Sequence, residues 1–86
     1  MGELSKLPNI GREMERQLHD YAGVTTAEQL YQMGSRQAWL CILREDSSAC
    51  LHRLYALEGA VQGIRKQELS PQTKEELRTF FNEHKR

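Results

Sequence analysis

Charge of one sign is missing from this chain: twelve lysines and arginines stand against twelve aspartates and glutamates, so the formal net charge is zero. A neutral chain has no global field to draw it onto nucleic acid or an acidic membrane, and any such contact has to rest on a local patch. Long apolar runs are missing as well. No stretch approaches the roughly 20 residues of a membrane span, and the N-terminus has no apolar secretion segment. The expected setting is the cytoplasm, with no membrane partner. Only two cysteines occur. Cys41 and Cys50 make the only Cys/His cluster with His52, and the spacing matches no zinc site. Reduced thiols are expected in that compartment, with no metal and no cofactor. Cys50 and His52 do not form a catalytic pair, because residues two apart on a helix point in different directions. No segment alternates like a strand, repeats internally or reads as a linker.

What remains is helical. Eighty-six residues make one domain, 1–86, with a core large enough to fold alone. The stretch Cys50 to Ile64 organises it. On a helical wheel Cys50, Leu54, Leu57, Val61 and Ile64 share an apolar arc, and Ala56, Gly59, Ala60 and Gly63 gather opposite. A helix apolar on one side and small on the other is covered on both, so it is expected to be the central helix. Each glycine inside a helix costs about 1 kcal/mol against alanine, which close approach of another backbone would offset.

Around it the pattern predicts four more helices in an all-α bundle. Met1 to Lys6 reads as a frayed start or one helical turn. A first helix opens after the turn Leu7-Pro8-Asn9-Ile10-Gly11 and runs to about Tyr21. Ile10, Met14, Leu18 and Tyr21 face inward, Glu13–Arg16 and Arg16–Asp20 pair outside, and Gly23 stops it. Thr26 and Gln29 have the capping-box spacing for a short second helix, with Ala27, Leu30 and Tyr31 inward and Gly34 closing it. Ser35 is the expected cap of a third helix with Ala38, Trp39, Ile42 and Leu43 inward. Asp46 or Ser47 is expected to cap the central helix. Ser70-Pro71 opens the last helix, which turns Leu77, Phe80 and Phe81 inward and ends in a basic tail.

Three sets of residues are candidates for function. The Leu7–Gly11 turn with the following Gly23-Val24-x-Thr26 has the form of a helix-hairpin-helix element, whose backbone N–H groups grip a phosphate. Lys6, Asn9, Ile10, Gly11, Arg12 and Arg16 are the candidate DNA or phosphate contacts. Asn9 stands where the motif has glycine, and asparagine tolerates the positive φ the turn needs. The competing expectation is a packing device, with Ile10 and Val24 plugging the core. The small-residue stripe Ala56, Gly59, Ala60 and Gly63 is the candidate helix-packing or homodimer face. Glu58, at the edge of the apolar arc, is read as a buried structural acceptor for backbone N–H groups or for the Trp39 indole. No nucleophile and no second carboxylate sit at a recognisable spacing, so neither an enzyme nor a small-molecule substrate is expected.

Taken in order, Leu7-Pro8-Asn9-Ile10-Gly11, Gly23-Val24-x-Thr26-x-x-x-Leu30, Gly34 with Ala38-Trp39, and Cys50-Leu51 with Leu54-Tyr55-Ala56-Leu57-Glu58-Gly59-Ala60-Val61 resemble the C-terminal domain of the TfoX (Sxy) family. The similarity runs from about Leu4 to Phe81. It implies a compact helix-hairpin-helix or SAM-like bundle without cofactor or catalysis, in a family of bacterial regulators of natural DNA-uptake competence. It implies a role in transcriptional regulation through a protein partner, with weak, sequence-nonspecific DNA binding by the hairpin as the alternative. Family members usually carry an α/β domain ahead of this one, and this chain begins directly at Met1, so what transfers is the domain type. The implied working surface is the hairpin, Asn9 to Arg12, or the exposed side near Arg65 and Lys66.

Overall fold

A computed structural model describes residues 2–85. Five α-helices and no strand occur among them: α1 (Arg12–Gln17), α2 (Ala27–Met33), α3 (Ser35–Glu45), α4 (Leu51–Gln62) and α5 (Pro71–His84). The radius of gyration, 11.7 Å, is close to the roughly 12 Å of a compact chain this long. Trp39 is fully buried at the centre. Its ring meets Phe81 at 5.6 Å and Phe80 edge-on at 6.1 Å, joining α3 to α5. Its indole N–H donates to the Cys50 carbonyl (3.1 Å), at the entry to α4.

Helix α4 is wrapped on both sides, as its wheel implied. Leu54, Leu57 and Ala60 have no exposure, and Tyr55, Ala56 and Gly59 are buried with them. It is shorter than expected at both ends. It begins after Cys50 without a side-chain cap. Asp46 does not cap it. Instead, that carboxylate folds its own loop, accepting from the Ser48 N–H and hydroxyl (3.0 and 2.6 Å), and reaches Arg53 in the helix (2.9 Å). At the far end Gly63 is not part of the small-residue face. It takes φ +77° and closes a Schellman motif, the Ile64 N–H donating to Gly59 (2.9 Å) and the Gly63 N–H to Ala60 (3.2 Å).

The other helices match their sequence signals in most details. The Thr26–Gln29 capping box is formed, Ser70 caps α5 with Pro71 in its first turn, and Arg16 pairs with Glu13 (2.6 Å) and Asp20 (3.0 Å). Helix α1 continues through Leu18–Ala22 as a π-helical turn before Gly23 ends it. Two expectations are corrected. Ser35 is already inside α3, whose cap is Gly34, because its hydroxyl is turned to Glu58. Tyr31 is 48% exposed, because α2 meets the core with Leu30 and the partly buried Met33 instead. Of the two alternatives for the segment before the hairpin, the helical turn is formed, a 3₁₀ turn at Leu4–Lys6 with Leu4 wholly buried.

Candidate functional site

The hairpin holds the positive φ that its sequence required. Asn9 adopts φ +70°, so the turn survives without the motif's glycine. The Asn9 side chain points inward. Its amide donates to the carbonyls of Ala56 (3.3 Å) and Ile64 (3.0 Å), and its oxygen accepts the Lys66 N–H (3.0 Å). Every polar atom of that side chain is thereby engaged with α4 and the segment after it. Ile10 is buried in the core beside it. Of the six candidate phosphate contacts, Lys6, Gly11, Arg12 and Arg16 are exposed, while Asn9 and Ile10 serve the interior.

The room that Asn9 occupies exists because residue 59 has no side chain. A Cβ built on Gly59 would lie 2.5 Å from the Asn9 amide nitrogen, 2.8 Å from the Ile64 carbonyl and 3.3 Å from the Lys66 nitrogen. This is the close approach that the glycine cost called for, but the approaching backbone is the Ile64–Lys66 loop rather than another helix. The dimer-face expectation meets the same geometry. Ala56, Gly59 and Ala60 are covered by the chain itself, and exposed Gly63 is a cap, so the stripe is an intramolecular seat for the hairpin.

Two clefts flank this seat. The first, of about 400 Å³, is lined by Gly2, Ser5, Arg12, Glu15 and Arg16. Its cations come with anions. Glu15, outside the inward-facing set Ile10, Met14, Leu18 and Tyr21, is nevertheless buried and accepts the N–H groups of Gly2 (3.0 Å) and Leu4 (3.1 Å). Burial pushes the Glu15 carboxyl up, yet those N–H groups hold it in net below the usual carboxylate value. Hydrogen bonding to Arg16 lowers Glu13, and Arg16 itself is raised, first by Glu13. Around the hairpin, Arg16 is thus paired with Glu13 and Asp20, while the exposed Lys6 and Arg12 take part in no ion pair among the described residues.

The second cleft, of about 300 Å³, lies where α4, the 3₁₀ turn Lys66–Glu68 and α5 meet, lined by His52, Tyr55, Lys66, Gln67 and Lys74. No carboxylate lines it among the described residues. The sequence pointed to Lys66 but not to the other four. A faint signal was present: His52 and Lys74 have no acid three or four positions away along their helices, where a partner would stand.

Glu58 is a half-buried acceptor, but its donors are the Ser35 hydroxyl (2.5 Å) and the Gln62 amide (2.7 Å), neither a backbone N–H nor the indole. The buried acid that does accept backbone N–H groups is Glu15. Cys41 and Cys50 are free thiols, and no group of His, Cys, Asp and Glu suited to a metal ion occurs among the described residues. His19 is half-buried, and its Nε2 lies inside without a hydrogen-bond partner among the described residues. No helix among the described residues is long and apolar enough to cross a membrane.

A family model described as the TfoX C-terminal domain matches residues 1–81. Among solved structures, an uncharacterized protein from Listeria monocytogenes in a triclinic crystal form is 49% identical. It superimposes with a TM-score of 0.91 over 93% of this chain and 90% of its own. A protein of unknown function from Listeria monocytogenes in a tetragonal form is 47% identical, with a TM-score of 0.89 over 92% of this chain and 96% of its own. No curated protein matches the chain.

Proposed function

The chain belongs to the TfoX C-terminal domain family, and from that membership we propose that it is a non-enzymatic cytoplasmic domain that docks a protein partner in transcriptional regulation of competence genes. The observation that carries the choice of partner is the inward use of the hairpin. In a phosphate-gripping hairpin the turn residues face the backbone of the nucleic acid. Here Asn9 holds Ala56, Ile64 and Lys66, and Ile10 is in the core. Of the exposed cations beside it, Arg16 is paired with Glu13 and Asp20, and the whole chain is neutral. Nonspecific duplex binding draws nearly all its affinity from unneutralised cations, and Lys6 and Arg12 alone span few phosphates.

Duplex DNA held by Gly11, Arg12 and Arg16 is the competing reading, and one titration separates them. A fluorescent duplex at low salt is expected to show no saturable binding. Cross-linking in cells, with the captured protein purified and the complex rebuilt from the two pure components, is expected to give a stable pair. Duplex affinity that falls steeply with salt, with a slope reduced by about one counterion in Arg12→Ala, would overturn the proposal.

A further inference from the structure

The His52–Tyr55–Lys66–Gln67–Lys74 cleft gathers two lysines, and no carboxylate is among its described lining residues. The ion pairs among the described residues lie elsewhere: Arg16 with Glu13 and Asp20, Arg44 with Glu45, Arg53 with Asp46. Neither Lys66 nor Lys74 takes part in an ion pair among the described residues. The nearest acids in sequence are occupied or turned away. Glu68 accepts the Arg65 N–H (3.0 Å), Glu76 accepts from Gln72 (3.4 Å), and Glu75, next to Lys74, is rotated about 100° around α5.

The walls are also fixed in place. The Tyr55 hydroxyl donates to the Lys74 carbonyl (3.3 Å), tying α4 to α5 across the floor. Tyr55 is 8% exposed, and its ring meets His52 edge-on with centroids 6.2 Å apart. The Lys66 N–H is held by Asn9 (3.0 Å), so the hairpin that sits on Gly59 also positions one rim of this cleft. The result is a preformed depression with an aromatic wall and two ammonium groups.

We propose that this cleft is the docking site for an acidic segment of the protein partner, with Lys66 and Lys74 pairing its carboxylates and the His52–Tyr55 wall receiving an apolar side chain beside them. The inference rests on the protein-partner reading and specifies its chemistry. Charge complementarity selects the occupant. Lysine presents a compact point charge that suits a single carboxylate, whereas planar bidentate recognition calls on arginine. About 300 Å³ is the low end for a ligand pocket and accommodates side chains of one short segment. A duplex would need a basic stripe spanning several phosphates, and this cleft is bounded by two lysines in an electroneutral chain. Aromatic contact at the centre with charges at the rim is the usual division of affinity and specificity in such interfaces.

The test uses the full chain labelled with ¹⁵N. Its probes are a short acetylated peptide of glutamates flanking one phenylalanine, the same peptide with glutamine for glutamate, a duplex oligonucleotide and inorganic phosphate. The acidic peptide is expected to shift the amide signals of His52, Tyr55, Lys66, Gln67 and Lys74, with binding that weakens as salt is raised. The Lys66→Glu/Lys74→Glu double variant is expected to lose at least about tenfold in affinity, the worth of one rim charge pair or two. The milder Lys66→Gln/Lys74→Gln pair replaces it if circular dichroism shows the reversal unfolded. Absence of shifts, shifts mapping elsewhere, equal binding of the glutamine peptide, equal affinity of the charge-altered chain, or displacement by duplex or phosphate at similar concentration would each overturn the site. Should the rebuilt partner complex survive the double substitution unchanged, the cleft assignment fails while the partner reading stands. Should no partner exist but the acidic peptide still bind here, the regulatory reading fails and the cleft chemistry stands.

Discussion

Gly59→Ala is the substitution on which the architecture is most exposed, because helix propensity and packing predict opposite signs. In an open helix the change stabilises by about 1 kcal/mol. Here the new methyl would meet the Asn9 amide at 2.5 Å, the Ile64 carbonyl at 2.8 Å and the Lys66 nitrogen at 3.3 Å. The amide can swing away, but then its bonds to Ala56 and Ile64 are lost, each worth about 1 kcal/mol. The two backbone atoms can move only with the loop, an overpacking cost of about 1–3 kcal/mol. Against the propensity gain, the net is a loss of about 2–4 kcal/mol, or about 10–25 °C in Tm for a domain of this size. Urea denaturation followed at 222 nm measures it. Combining the change with Asn9→Gly, which keeps the positive φ and removes the amide, is expected to cost at least about 1 kcal/mol less than the two single losses added. A Gly59→Ala protein that melts at or above the parent would refute the close approach, and with it the placement of the hairpin.

Asn9→Ala is expected to destabilise more than Asn9→Gly, by about 1 kcal/mol, because alanine also meets the steric cost of φ +70°; thermal melts of the two variants decide it. Trp39→Phe keeps a ring against Phe80 and Phe81 but loses volume and the bond to Cys50, for an expected loss of about 2 kcal/mol by urea titration. Acid sensitivity follows from Asp46 and Glu15. The Asp46 carboxyl is held below its ordinary value, first by the Ser48 hydroxyl and then by Arg53, and Glu15 is also lowered in net. A depressed folded-state pKa means stability that is present above the unfolded value and lost as pH falls towards the folded one. Tm is therefore expected to be level near neutrality and to decline below about pH 4. Asp46→Asn should make that decline shallower, and an unchanged acid limb would count against the Ser48–Arg53 assignment.

The helices were legible in the sequence because their signals are local. Thr26 and Gln29 are three residues apart, Ser70 and Pro71 adjacent, and both caps formed where the pattern put them. The misreadings concern polar groups whose partners are distant in the chain. Asp46 looked like a cap for the residues next to it, but Arg53 and Gln17 claimed it. Ser35 has a cap's local context, but Glu58, twenty-three residues away, accepts its hydroxyl. Glu15 lies outside the apolar set of α1, and only the Gly2–Leu4 segment folding over it makes it an interior acceptor. Periodicity also cannot reveal which surface residues converge. His52 and Lys74 are far apart in sequence and become neighbours only through the Tyr55 contact between α4 and α5.

Asn9 and Gly59 are best understood as one device with two halves. A glycine at position 9 would satisfy the turn's positive φ and leave its backbone clear for a phosphate, as in hairpins that bind nucleic acid. Asparagine meets the same backbone need while adding an amide, and an amide there has to go somewhere. It goes into the space that residue 59 leaves empty, where three backbone groups satisfy it. The two residues are therefore coupled sterically: asparagine at 9 demands glycine at 59, whereas glycine at 9 still leaves the Ile64 carbonyl to constrain any larger residue at 59. Relatives with a side chain at position 59 should lack the asparagine and should also show a displaced 64–66 loop. A relative bearing Asn9 together with alanine or larger at 59, and the same loop path, would break the steric coupling of the two positions.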